Sequence, residues 1–454
     1  MMNRSSKWTA ARNLISRQFG NQNNYNFQCL AYSGLQFIQR LQLDKKLEHH
    51  DGCVNALNFS PCGTFLASGS DDLNIVLWDW AKGKEHHIIE TGHRSNVFQS
   101  KFLPLSSGIN IVSCARDGQV RLSQISNSGS GQPSRKIANH RGAAHKLAIA
   151  PNSSYVFLSC GEDSLVQLVD VRQEKPIKLL TCRNERNNKV GLYTIDINPT
   201  NEFEFAVAGR DQYARIYDRR KIDSNEIDPV KKFSPHFFMN RSYAHRPNIT
   251  CLVYSYDGSE LLLSYNDDDI YLFDSSHSDG AEYIKRYTGH QNNATVKGVN
   301  FFGLKSEYVV SGSDCGHIFF WHKESEEIVQ CVVGDKTGAV NVLEPHPSIC
   351  MLATSGIDSD VKLWTPTSNK RNDLASLDSV TEANKQRREE YLVDGPIDPI
   401  SEELITRFLR RMRYYQAMQQ GDDSSDDSDD SNDSTDSSAS DVDGEGVHFA
   451  CATS

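Results

Sequence analysis

Seven times between residues 50 and 364 the chain repeats one unit. Each copy has a turn, two β-rich runs, a small-residue step, an Asp, and six residues later an aromatic or aliphatic residue. The clearest copy, H-D-G-C-V-N-A-L-N-F-S-P-C-G-T-F-L-A-S-G-S-D-D-L-N-I-V-L-W-D, runs from His50 to Asp79. A repeat of roughly 40–50 residues cannot bury its apolar face alone, so the copies must stack on one another.

Within a copy the strand pattern is explicit. V-N-A-L-N-F alternates, placing Val54, Ala56 and Asn58 on one face and Asn55, Leu57 and Phe59 on the other, while I-V-L-W reads as a fully buried run. A Trp-Asp ending at this period marks a WD-repeat β-propeller, in which four-stranded blades around an axis leave only short edges. The predicted fold is all-β: a seven-bladed propeller with an N-terminal helical arm, a C-terminal helical extension and a disordered acidic tail. The last blade ends after its third strand, at Trp364–Pro366, and the run Phe37–Leu47 is the expected supplier of the missing fourth. The expected divisions are an arm over 1–35, the propeller over 36–366, an extension over 367–420 and the tail over 421–454.

Four residue types recur at fixed places. The turn His is His50, His93, His140, His245 and His290; the strand hydroxyl is Ser68, Ser113, Ser159, Ser311 and Thr354; the Asp is Asp72, Asp117, Asp163, Asp211, Asp267 and Asp358, with Cys315 in the sixth copy. The fourth copy lacks the His, and Asp335 stands near its place in the seventh. Together these predict a buried relay from Asp to His to hydroxyl to indole, favourable only when every member is satisfied. Only the first copy, His50–Ser68–Asp72–Trp78, has all four, so the first blade is expected to be the most regular, and the fourth and fifth to lean on apolar packing. Recurrence argues against catalysis, because a catalytic pair occurs once. No nucleophile set, phosphate loop or metal spacing stands out, and neither a metal nor a cofactor is expected.

The net charge of −11 is a property of the tail: residues 422–445 hold eleven acidic residues, and no Lys or Arg follows residue 413. The remainder is neutral, which argues against a nucleic-acid binder. Eleven cysteines without a C-x-x-C pair read as small buried residues of a reducing compartment. With no apolar leader and no run of 18 apolar residues, the chain reads as soluble and intracellular.

Outside the repeats, Trp8, Ala11, Ile15 and Phe19 share one helical face, ended by Gly20; such a stripe either packs on its own domain or docks on a partner. Glu402–Met418 reads as a basic amphipathic helix with Leu404, Ile405, Phe408, Leu409 and Met412 on its apolar side. Ser424, Ser425 and Ser428 lie among carboxylates, which suits an acidophilic kinase as well as a merely solubilising tail. Lys370–Arg371 followed by Lys385–Arg388 resembles a two-part nuclear import signal, which gives the expected location as nucleus and cytoplasm.

Two neighbouring copies end differently. The third ends L-V-D-V-R and the fourth I-Y-D-R-R, placing Arg172 two residues after Asp170 and Arg220 two after Asp218; other copies have Ala81, Ser126 or Ser276 there. A guanidinium fork grips carboxylates, so each Arg either pairs with its own Asp or serves a partner. A D-x-R ending on consecutive blades, with stretches such as G-C-V-N-A-L-N-F, F-A-V-A-G-R-D-Q and D-I-Y-L-F-D-S-S-H-S-D-G-A, resembles the WD-repeat substrate receptors of the cullin-4 ubiquitin ligase, the DDB/cullin-4-associated factors. The resemblance covers residues 36–366. It implies a non-catalytic receptor that docks on the damaged-DNA-binding adaptor protein, which links it to cullin-4, and that holds an unknown protein substrate on its free surface. It makes Asp170, Arg172, Asp218 and Arg220 adaptor-facing and likens the helix near Trp8 and Ile15 to a docking arm. Val169 and Tyr217 replace the Trp of the pattern in the two D-x-R copies. The substrate candidates are Arg116, Glu162, Arg210 and Asp268, on turns at the mouth of the ring. The alternative is a propeller scaffold or peptide reader with no ligase link.

Overall fold

The structure is a computed structural model, and it describes residues 10–106, 108–126, 131–222, 228–240, 246–336 and 338–393. Seven antiparallel four-stranded sheets form the blades of a β-propeller. Blade one is typical: Val54–Phe59, Leu66–Ser70, Asn74–Asp79 and Lys84–Glu90 pair in chain order. The first strands of neighbouring blades pack side by side around the axis, and Val54–Phe59 against Val340–Pro345 completes the circle.

Closure uses both ends of the repeat region. Gln42–Glu48 pairs antiparallel with Asp360–Thr365 and becomes the outer strand of blade seven. It begins later than the run Phe37–Leu47 suggests, because Leu35–Ile38 is a short helix (α3 below) that sinks Ile38, with Leu41 after it, into the apolar cluster between blades six and seven. Two helices precede it, α1 (Ala10–Gln18) and α2 (Asn24–Tyr32), so that α3 is the third. Asn23 caps α2, its side-chain oxygen accepting from Asn26 N at 2.7 Å. A fourth helix, α4 (Leu377–Val393), follows the ring.

Strict alternation fails at the start of the inner strands. Six of them carry a β-bulge, at Asn55, Phe98, His145, Tyr193, Thr250 and Asn341. A bulge inserts one unpaired residue and re-aims its side chain. Beyond the bulge Ala56–Phe59 is buried throughout, since these strands face neighbouring blades on both sides.

The antiparallel order gives the ring two faces. Turns joining first to second and third to fourth strands lie on one, which carries the D-x-R endings. Turns joining second to third strands, with the loops between blades, lie on the other, the mouth face.

Candidate functional site

The relay in blade one is complete. His50 Nδ1 lies 2.7 Å from Asp72 Oδ2, His50 Nε2 lies 2.8 Å from Ser68 Oγ, and Trp78 Nε1 donates to the same oxygen at 2.8 Å. Burial works against the Asp72 carboxylate, but His50 and the amides of Asn74 and Asp51 hold its pKa below the ordinary value. Blades two and three keep the shorter relay: His93 and His140 bridge Asp117 to Ser113 and Asp163 to Ser159.

The other blades substitute different chemistry. In blade four Arg215, 2% exposed, forks onto Asp211 at 3.0 and 2.5 Å, so a buried ion pair is added in a blade expected to lean on apolar packing. In blade seven Lys362 Nζ lies 2.8 Å from both Asp335 and Asp358, and Trp364 Nε1 donates to Thr354 Oγ1 at 2.8 Å. Blade six departs most. His290 is fully buried and neither ring nitrogen has a partner among the described residues; burial and the nearby Arg388 push its pKa down to about 3. Trp321 Nε1 turns away from Ser311 to Thr288 O at 2.9 Å. Lys297 and Asp314 form the buried pair there instead. In blade five His245 lies outside the described residues, Asp267 Oδ1 has no partner among them, and an aromatic group of Phe238, Tyr265, Tyr271 and Phe273 fills the blade.

The two D-x-R endings are near-copies of each other. Arg172 Nε and Nη2 donate to the Asp170 carboxylate at 2.9 and 2.7 Å; Arg220 does the same to Asp218 at 3.0 and 2.8 Å. Each guanidinium also lies over an aromatic ring contributed by its own blade: Tyr155 under Arg172 at 4.7 Å, Phe203 under Arg220 at 4.6 Å. The Arg bonds hold both Asp carboxyls below their ordinary pKa. The fork therefore pairs with its own blade, yet the side chains of Arg172 and Arg220 remain 61% and 58% exposed. Each is a rigid cation on an exposed aromatic platform, repeated one blade apart.

Of the arm, Trp8 lies outside the described residues, whereas Ile15 is exposed, as are Leu14 and Phe19. Among the described residues the apolar stripe of α1, at Ile15 and Phe19, is thus uncovered. By contrast α2 is anchored, with Cys29 and Ala31 buried and Ser33 O accepting from Tyr308 Oη at 2.8 Å. A cleft of about 320 Å³ lined by Tyr32, Tyr254, Tyr256 and Phe301 lies beside it.

On the mouth face the bulged residues meet. Phe98 stacks on His145 with ring centroids 5.1 Å apart, and Tyr193 meets His145 edge-on at 5.0 Å. Arg210 donates to Tyr193 Oη at 2.5 Å and to Glu162 at 3.1 Å, which joins two of the four substrate candidates, while Arg116 is exposed on the blade-two turn of the same face. Asp268 does not join them. It is 5% exposed, because the turn at Asp267 (φ 58°) aims it inward to accept from Tyr271 Oη at 2.6 Å.

The feature that sequence reading missed is α4. Leu377 and Val380 pack on the apolar cluster of blades five and six. Asn384 Nδ2 donates to Gly289 O at 2.9 Å and lies 3.4 Å from Cys315 Sγ. Arg388 donates to Asp269 and to His290 O at 2.7 and 3.0 Å. Leu377, Val380 and Asn384 follow helical spacing, but the polar Asn hides the stripe. The basic helix expected over Glu402–Met418 lies outside the described residues.

Among the described residues no helix is long and apolar enough to cross a membrane. The model of the WD domain, G-beta repeat, matches residues 41–79 and 281–322. The chain is 35% identical over 250 residues to DDB1- and CUL4-associated factor 6 of Mus musculus, covering 53% of this chain and 28% of that protein. Its Homo sapiens counterpart is 34% identical, with 53% and 29% covered, and WD repeat protein iqw1 of Schizosaccharomyces pombe is 32% identical over 268 residues, with 53% and 33% covered. The chain thus spans about a third or less of the length of these relatives. Repeat, blade count and closure together make the chain a seven-bladed WD-repeat β-propeller, similar over about half its length to a CUL4-associated factor.

Proposed function

We propose that this protein is a non-catalytic substrate receptor of the cullin-4 family of ubiquitin ligases and itself a DDB/cullin-4-associated factor. The repeat stretches quoted above resemble the eighth-numbered member of that group in particular. The observation that carries the reading is the pair of exposed Asp–Arg forks, Asp170–Arg172 and Asp218–Arg220, on aromatic platforms of neighbouring blades. A partner meeting them finds two pre-ordered cations, which lose little side-chain freedom on binding. Similarity to a protein named as DDB1- and CUL4-associated supports the choice of the damaged-DNA-binding adaptor as that partner. The uncovered apolar stripe of α1 at Ile15, with Trp8 before it, supports a second contact through the arm. The opposite face, with Arg116, Glu162 and Arg210, is left for a protein substrate. Transfer chemistry belongs to the partners, and nucleus and cytoplasm are the proposed locations.

The test is co-purification with the adaptor and cullin-4, first with the intact chain and then with Arg172→Ala and Arg220→Ala together. The double variant should keep its circular dichroism, because both guanidinium groups lie outside the core. Its adaptor binding should fall by roughly tenfold or more per site if the forks are desolvated in the complex. Lys at both positions should rescue poorly, since it lacks the planar fork. A folded double variant with unchanged capture overturns the assignment and leaves the scaffold without a ligase link as the better reading. Loss of fold would instead give the forks a purely internal role.

A further inference from the structure

The mouth face is divided by charge. Turns of blades five, six, seven and one carry Asp267, Asp268, Asp269, Asp314, Asp358 and Asp71. Turns and loops of blades two to four carry Arg94, Arg116, Arg141, Arg186, Lys189 and Arg210, all exposed. Most anions in this second region are engaged: Asp117, Asp163 and Asp211 are held by His93, His140 and Arg215, and Glu162 by Arg210, while Glu185, between Arg183 and Arg186, is exposed. Residues 1–421 as a whole being neutral, this asymmetry is local and invisible in the net charge.

The acidic region already has a cover. Helix α4 carries Lys385, Arg387 and Arg388, and Arg388 is ion-paired to Asp269, a residue whose side chain is 2% exposed. The chain therefore reaches the mouth face through α4 with its basic segment on the acidic side. Ahead of it lie residues 394–421 and then the run 422–445 with its eleven carboxylates. Residues 394–421 reach at most about 100 Å when extended, against about 40 Å across two four-stranded blades.

We infer that the acidic segment 422–445 docks in cis on the basic region of blades two to four, over Arg94, Arg116, Arg141, Arg186, Lys189 and Arg210. The occupant follows from complementarity and from where the chain leaves α4. Eleven like charges meet exposed cations, and the tether replaces a bimolecular encounter by a local one of high effective concentration. Docked there, the segment covers Arg116 and Arg210 and competes with any ligand of the mouth. The inference does not depend on the ligase reading, since it concerns the face opposite the Asp–Arg forks.

Zero-length carbodiimide cross-linking of the intact chain tests it, because the reagent joins a Lys amine only to a carboxylate in direct contact. Cross-links from 422–445 to Lys189 are expected within single molecules, lost at high salt and lost when Arg94→Glu and Arg141→Glu are combined. A labelled peptide of residues 421–446 provides the second readout. It should bind the intact chain at least tenfold more tightly once the tail's Asp and Glu are changed to Asn and Gln, and the arginine reversals should abolish that gain. Cross-links confined to lysines of other blades, cross-links only between molecules, or equal peptide binding with and without the tail charges would each overturn the inference. Equal binding would mean an open basic face used by acidic segments of other proteins.

Discussion

Arg388 of α4 lies 2.7 Å from Asp269, a buried carboxylate that Arg286 also holds at 2.6 Å. The helix is thus tied to blade five by a charge that the blade has partly neutralised already. Asn384, 2% exposed, makes the second tie, to blade six.

Removing the two ties should therefore have unequal effects. Arg388→Ala leaves Asp269 with Arg286 and should cost only ~1 kcal/mol of helix docking. Asn384→Leu strands Gly289 O in a buried site and should cost ~1–3 kcal/mol. Both losses belong to α4 and not to the ring, so hydrogen exchange should quicken across 377–388 while blade one keeps its protection. Uniform loss of protection through all blades would show α4 to be part of the ring's cooperative unit.

Blade one offers a sharper contrast. Asp72→Ala removes the acceptor of His50, whose side chain is fully buried, and should cost ~1–3 kcal/mol. Cys315→Ala at the equivalent place in blade six should cost less, because His290 makes no bond to it. Denaturant midpoints decide the matter, and equal losses at the two sites would contradict the relay's role in stability.

These comparisons also show what a sequence discloses. The repeat spacing, the blade-one relay and the need for a closing strand were all legible, because each rests on local period or on residue type at a fixed offset. The substitutions in blades four and six were not. Arg215, on the third strand of blade four, does what a turn His does in blades one to three, and Trp321 finds a backbone carbonyl that no side-chain pattern announces. Asp268 read as a turn residue free to face a ligand, yet one positive φ beside it sends the carboxylate inward. In α4 the residue that fixes the helix, Asn384, is polar, and periodicity of apolar residues passes over it. The aromatic platforms under Arg172 and Arg220 come from turns more than a dozen residues upstream, so only the folded blade joins them.

Acid should act on the protein in two opposed ways. Asp72, Asp117 and Asp163 have pKa values lowered in the fold by their His partners and backbone amides, against the opposing effect of burial. Their contribution is complete above the unfolded carboxylate pKa of about 3.9 and is lost as pH falls through the lower folded values. Asp196, which accepts from Tyr254 N at 2.9 Å, is pushed by burial up to about 6. The folded state then binds its proton more tightly than the unfolded one, so stability falls as pH rises from about 4 to about 6. Asp196→Asn keeps one carbonyl acceptor, for Tyr254 N, but gives up the one that Ile197 N uses at 3.0 Å; it should remove that slope, with the loss of this second bond offsetting part of the stability gained at pH 7. An unchanged slope between pH 4 and 6 would place the proton uptake elsewhere.

Ring closure depends on chain that precedes the first repeat. Deleting residues 1–22 removes α1, whose Leu14, Ile15 and Phe19 are exposed, and leaves Asn23 to cap α2. That protein should keep its unfolding midpoint. Deleting through Leu47 takes away most of the outer strand of blade seven, in which Leu43 pairs with Trp364 and Leu47 with Val361. It also removes Ile38 and Leu41, both fully buried between blades six and seven. The strand Asp360–Thr365 would then become an open edge, able to pair with another chain. Loss of the buried apolar groups alone is worth several kcal/mol at ~1.5–3 kcal/mol for each large side chain. The longer deletion should therefore melt far earlier and form oligomers on size-exclusion chromatography, and adding the peptide 36–48 in trans should partly restore the monomer. If both truncations melt together, the ring is held by its inner strands alone, and the paired ends of the chain contribute no closure.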